Sequence, residues 1–129
     1  VARSPQTPLD EARTLLAAAI ADFGAALAAR PDFLSALLAR AFARRELAVR
    51  DRAAGEDPGP SLAAAREDLD AVLARDPRRW EAYLVRGQLA DVAGDVAAAC
   101  ADYEAVLRLR PGNAAAAERL AALQAAAGR

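Results

Sequence analysis

Residues 80–113 read WEAYLVRGQLADVAGDVAAACADYEAVLRLRPGN. Gly94-Asp95 divides this stretch. The glycine stops one helix, and the aspartate caps the next with a side-chain acceptor for its free N–H groups. Pro111 ends the second helix because it has no N–H to donate and clashes with the preceding turn. Gly112-Asn113 then opens another helix. The stretch is therefore a helix–turn–helix unit, with helices expected at about 78–93 and 95–109.

The same unit recurs upstream. Residues 22–31 (DFGAALAARP), 68–77 (DLDAVLARDP) and 102–111 (DYEAVLRLRP) each set an Asp before a large apolar residue. A small or β-branched residue follows three later, then a Leu, and proline closes the unit. The interval from Pro31 to Pro77 is longer than that from Pro77 to Pro111 by about three helical turns. A second register keeps both offsets: residues 36–41 (ALLARA) lie over 82–87 (AYLVRG), with 116–121 (AAERLA) as a weaker third copy. Two helix types alternate, one beginning just after each proline and the other ending just before it. Six helices are expected, at about 8–29, 33–49, 61–75, 78–93, 95–109 and 113–127. Thr7-Pro8 with Asp10 reads as an N-cap, a first-turn proline and an acidic first turn. Residues 50–60, with Pro58-Gly59-Pro60, read as a loop that absorbs the extra length of the longer interval.

Composition agrees with an all-α fold. Roughly three residues in ten are alanine, the best helix former but a poor source of buried area, so the helices must approach closely. Aromatic residues make up 5% of the chain, which leaves few large side chains to fill gaps. All 17 basic residues are arginine, interspersed with 18 acidic residues for a net charge of −1. A GC-rich coding sequence accounts for arginine in place of lysine. No single-sign surface of the kind that nucleic acid or an anionic membrane requires is built by this pattern. No apolar run approaches bilayer-spanning length, so no membrane insertion is expected. The one cysteine, Cys100, excludes an intramolecular disulfide. A lone thiol fits a reducing compartment such as the cytoplasm; an exported form whose leader was cleaved fits as well. A start at Val1, with no methionine in the sequence, suggests that a leader or upstream region has been removed.

A helix–turn–helix unit of about 34 residues closed by proline resembles the tetratricopeptide repeat. Tyr83, Gly87, Gly94, Ala99, Tyr103 and Pro111 stand where that family places its aromatic, small and proline residues. In residues 34–77, Ala41, Ala65, Leu69 and Pro77 match. The resemblance implies a single domain over 1–129, an antiparallel helix-pair solenoid. It comprises a half repeat (8–30), a repeat with an inserted loop (33–77, loop 50–60), a second repeat (78–112) and a capping helix (113–127). In this scheme Gly87 and Ala99 are small so that paired helices meet, and Tyr103 fills the gap toward the next repeat. In texture the chain resembles repeat arrays appended to larger bacterial proteins.

Residue types argue against catalysis. With no histidine, the commonest general base and a common metal ligand are missing. Cys100 reads as a buried, inert thiol, and Glu67, Asp68 and Asp70 as a solvated acidic face. No catalytic residue, metal site or cofactor is expected. Arg40 and Arg86, each one place before a small residue, read as structural arginines with heads bonded to a neighbouring helix end or acid. Trp80 reads as packing on the preceding turn.

Function then rests on the groove that the resemblance implies. First-type helices would line a concave surface through positions i, i+3 and i+7: Ser35, Leu38, Phe42 and Arg45; Glu81, Leu84, Gln88 and Asp91; Ala115, Glu118 and Ala122. The expected function is a scaffold or adaptor that binds a peptide or partner helix. Leu38, Phe42 and Leu84 would bury apolar anchors, while Arg45, Gln88, Asp91 and Glu118 set polarity and register. Some members of the family hold a peptide's terminal carboxylate with several basic residues here. Arg45 is the only base read into this surface, which disfavours such a clamp. The alternative is a structural or self-association module attached to a larger protein, the uncovered face of helix 8–29 being covered by an upstream helix or, in a homo-oligomer, by a second copy of the chain.

Overall fold

The computed structural model describes residues 8–128 as α1 (Pro8–Ala29), α2 (Leu34–Ala53), α3 (Gly59–Arg75), α4 (Trp80–Ala93), α5 (Val96–Leu109) and α6 (Ala114–Ala127). No strand occurs among the described residues, and the architecture is an all-α helical repeat. Each helix packs on its successor, and α2 also touches α4. The even-numbered helices thus form one layer and α1, α3 and α5 the other.

Local chemistry sets the boundaries. Gly94 adopts φ 79°, a left-handed conformation that only glycine enters without strain. Asp95 then caps α5, its Oδ1 accepting the Ala98 N–H at 3.1 Å. Asn113 caps α6 through the Ala116 N–H at 2.9 Å. Thr7, the expected cap of α1, lies outside the described residues.

The loop expected at 50–60 contracts to residues 54–58. Residues 50–53 extend α2 because its end is held: Arg13 donates to Asp51 at 3.0 Å, and Arg52 reaches the Val92 carbonyl at 2.9 Å. Pro58-Gly59-Pro60 begins α3 instead of breaking the chain. A proline in the first turn loses no intrahelical bond, and Asp57 accepts the Gly59 N–H at 2.9 Å. The extra length of this repeat is therefore mostly helical. α2 has 20 residues against 14 in α4, and α3 has 17 against 14 in α5.

Half of the buried apolar residues are alanine, so helix axes must run close. One core cluster joins α1 to α4 around Leu37, Leu69, Val72 and Val85; the other joins α4 to α6 around Tyr103, Val106 and Leu123. At the second, Tyr103 lies flat on the bare backbone of Gly87, where a Cβ would stand 2.9 Å from its Cε1. Cys100 packs partly buried beside this cluster.

Arg40 and Arg86 each clamp an acid of the helix that follows. Arg40 donates to both oxygens of Asp68 at 3.0 and 2.6 Å, and Arg44 adds a third bond at 2.8 Å. Arg86 grips Asp102 at 2.8 Å and Asp70 at 3.0 Å. The solvated face expected for Glu67, Asp68 and Asp70 therefore needs correction at Asp68, which is 4% exposed. A carboxylate tolerates that burial only because two guanidinium groups replace its water.

The expectation that no apolar run reaches bilayer-spanning length also needs correction. Asp10–Ala29 of α1 has the length and, at a mean hydropathy of 1.4, the composition of such a segment. Nine of those residues are alanine, and the larger apolar ones are Leu15, Leu16, Ile20, Phe23 and Leu27. In this structure α1 packs on α2 and carries Arg13 paired with Asp51.

Two glycines give opposite expectations. Gly24, inside α1, would place a Cβ at an ordinary 3.9 Å from Arg40 Nη1. Gly24→Ala is expected to stabilise the fold by about 0.5–1 kcal/mol through helix propensity. Gly87→Ala is expected to cost about 1–3 kcal/mol by overpacking against the Tyr103 ring. Urea unfolding midpoints of the two variants test the pair.

Candidate partner-binding groove

The inward faces of α2, α4 and α6 line two adjoining cavities that share Leu84. The first encloses about 770 Å³. Leu38, Phe42 and Leu84 form its apolar wall, joined by Leu16 and Phe23 of α1 and by Trp80. Ser35, Glu46, Arg79 and Glu81 supply its polar edge. Phe42 is 50% exposed, a large aromatic surface left in water on the wall of a concavity.

The second cavity encloses about 470 Å³ and carries Gln88, Asp91, Tyr103, Glu118 and Arg119 between Ala115 and Ala122. Its centre is Asp91, which accepts the Tyr103 hydroxyl at 2.5 Å and two Arg119 bonds at 2.9 Å each. Burial alone would raise the Asp91 carboxyl; the bonds from Arg119 and Tyr103 outweigh it and hold the group below its ordinary value. Burial, reinforced by the bond to Asp91, pushes the Tyr103 phenol well above its own. The Gln88 amide oxygen is buried here without a hydrogen-bond partner.

Of the inward positions expected from sequence, Ser35, Leu38, Phe42, Glu81 and Leu84 meet at the first cavity, and Gln88, Asp91, Ala115, Glu118 and Ala122 at the second. Arg45 lines neither. Its guanidinium lies 4.6 Å from the Phe42 ring centroid and pairs with Glu46, while its Nε is buried without a partner. A residue three places after Phe42 stacks along the ring more readily than it reaches into the groove.

Arg45 is also not the only base near this surface, since Arg79 lines the first cavity and Arg119 the second. Arg79 is paired with Asp76 at 3.1 Å, and Arg119 with Asp91. Trp80, expected to pack on the preceding turn, has further neighbours. It packs against the second core cluster, lines the groove and lies under Arg110 at 5.8 Å. Sequence reading misses Glu46, one turn after Phe42, and the pair Leu16 and Phe23. Their spacing of i, i+7 is visible, but which side of α1 faces α2 is not.

Among the described residues no group of three or more His, Cys, Asp or Glu could hold a metal ion.

The whole arrangement has counterparts among solved structures. The first TPR domain of Spaghetti (RPAP3), solved bound to the HSP90 peptide SRMEEVD, superposes with a TM-score of 0.70 at 24% identity. That match covers 85% of this chain and 80% of the other. This is a tetratricopeptide-like fold. MamA matches as well, at a TM-score of 0.52 and 19% identity, over 97% of this chain and 87% of its own. No family model matches the sequence, and no curated protein is significantly similar to it. The TPR-like chain therefore shares an architecture with these proteins at low sequence identity.

The Asp91 centre makes the TPR-like fold acid-sensitive in a defined direction. Its depressed carboxyl contributes stability above the ordinary value of 3.8, and that contribution is lost as pH falls through the lower folded value. Asp91→Asn is expected to lower stability at neutral pH and to flatten its dependence below about pH 4. Urea midpoints measured from pH 6 to pH 2 check both.

Proposed function

We propose that the chain is a protein–protein interaction adaptor that binds a partner segment along the α2–α4–α6 groove. The observation that carries this reading is the apolar cavity of about 770 Å³ with half-exposed Phe42 on its wall. Large apolar side chains held in water along a concave wall gain most by receiving an apolar anchor. Leu38, Phe42 and Leu84 take that anchor, and Leu16, Phe23 and Trp80 complete its walls. Gln88, Asp91 and Glu118 then set the register beyond Leu84, while Arg45 acts indirectly by stacking behind Phe42. The Spaghetti TPR domain, solved bound to an HSP90 peptide, supports a peptide-binding role for a fold of this architecture.

The charge pattern narrows the partner. Arg45, Arg79 and Arg119 are each engaged by an acid of the same chain. Glu81 and Glu118 have no partner among the described residues. An acidic peptide such as SRMEEVD would find no uncommitted base here. The groove suits a segment with a bulky apolar residue flanked by arginine or lysine, which the two free glutamates would attract.

Selection from a displayed peptide library with this chain as bait tests the reading. Enriched sequences are expected to pair Leu, Phe or Trp with a nearby basic residue. The double variant Phe42→Ala, Leu84→Ala is expected to weaken a selected peptide at least about tenfold with helical circular dichroism retained. Glu81→Gln is expected to weaken it less and to reduce its salt dependence. Selected peptides that bind the double variant as tightly as the parent would overturn the assignment.

A further inference from the structure

The repeat offsets lay α1, α2 and α3 over α3, α4 and α5, which gives two equivalent seams to compare. In the first seam Arg44 of α2 joins Arg40 on Asp68. Its Nη1 donates to Asp68 Oδ2 at 2.8 Å and lies 3.5 Å from the Ala64 carbonyl oxygen. One turn on, Leu47 shares a cleft with Ala17. In the second seam Asp102, Ala98 and Ala63 hold the places of Asp68, Ala64 and Ala17, but Ala90 and Ala93 hold those of Arg44 and Leu47. Two large side chains of the first seam thus have only methyl groups for counterparts in the second. A cavity of about 220 Å³ lies there between α3, α4 and α5, and all five of these counterparts line it.

The walls of this cavity define what fits. Asp102 is 7% exposed, and Arg86 is its one cationic partner among the described residues. A carboxylate offers about four acceptor positions. Asp68 Oδ2 accepts from both Arg40 and Arg44, whereas Asp102 Oδ2 accepts only from Arg86 Nε, at 3.1 Å. An acceptor position is therefore unused at the place that Arg44 serves on Asp68. Charge is open in the same sense. Arg40 and Arg44 share one acid, but Arg86 serves two, Asp102 and Asp70. Leu62 and Leu89 give the space an apolar side. Arg66 borders it as well, exposed and with no bond among the described residues.

We infer that this cavity is a binding site for a single alkylguanidinium group, either an arginine side chain of a partner or a free alkylguanidine. The guanidinium takes the place of the Arg44 head and donates to Asp102 Oδ2 and the Ala98 carbonyl. The alkyl stem lies on Leu89, Ala90 and Ala93, as arginine stems lie on apolar surface elsewhere. A flat fork meets both acceptors at once, which a compact ammonium does not. No residue lines both this cavity and the groove, so the site stands independently of the groove reading.

Butylguanidinium titrated into the full chain, followed by backbone amide shifts in NMR, tests the site. Saturable shifts are expected at Ala90, Ala93, Ala98 and Asp102, with a dissociation constant of about 1 mM and no shift at Leu38 or Gln88. Butylammonium should bind about tenfold more weakly. Ala90→Arg supplies the group from within, so it should raise the urea midpoint and abolish the shifts. Arg66→Ala should tighten binding by removing a like charge. Equal affinity for the two cations, binding that survives Ala90→Arg, or a urea midpoint lowered by Ala90→Arg would each overturn the inference. So would the absence of saturable shifts in the parent chain; shifts confined to Arg66→Ala would make Arg66 the occupant. N-acetylarginine methylamide separates the two sources. Binding as tight as butylguanidinium upholds the site as one for a chain-borne arginine, and failure beside bound butylguanidinium upholds it as one for a free alkylguanidine.

Discussion

Tyr103 lies with its ring on the backbone of Gly87 and its hydroxyl on Asp91, and much of the fold depends on that one placement. Alanine helices bury little area per residue, so an alanine-rich domain gains stability by bringing axes close enough for dispersion contacts to accumulate. Gly87 permits the approach of α4 and α5, and Tyr103 fills the residual space with the largest fully buried side chain among the described residues. Its hydroxyl then needs an acceptor, because an unpaired polar group at that depth would undo part of the gain. Asp91 provides it and in turn recruits Arg119, which ties α6 to α4. Packing, hydrogen bonding and the attachment of the last helix are links of one chain.

The arginine–acid rungs repeat the same logic between other layers. A guanidinium fork matches a carboxylate bidentately, and Arg40 and Arg86 use that match on Asp68 and Asp102. Such a pair adds little net stability over an apolar pair of the same shape, since both charges surrender water. It does penalise a wrong partner or register strongly, because a mispaired helix would leave an acid buried alone. In a chain where alanine is common on nearly every face, the rungs supply register that apolar contacts specify weakly.

The groove inherits its character from these commitments. The arginines near it already serve acids of the same chain, so what faces the cavity is apolar surface with glutamates at the edge. Helix α1 is the complementary case, since Asp22 stands at the rung position with no arginine partner among the described residues. Both surfaces follow from one repeat pattern, satisfied in the middle of the array and unsatisfied at its concave side and its first helix.

The helices and their alternation are legible in the amino-acid order alone. Glycine, proline and cap residues act within a turn of their own position, and apolar periodicity is a local property. The rung series is also there in readable form, since Asp22, Asp68 and Asp102 repeat at the offsets of Arg40 and Arg86. Which of these groups meet is a matter for the folded chain. Residues 50–53 extend α2 only because Arg13 and Val92 are there to hold its end. Asp68 is buried only because two arginines converge on it, and Arg45 turns from the groove to Phe42 and Glu46. Trp80, Leu16 and Phe23 become groove walls through the angle at which α1, α2 and α4 pack. A side chain's direction around its helix is written locally, but what it finds there depends on the neighbouring helix, and that is settled only when the axes close.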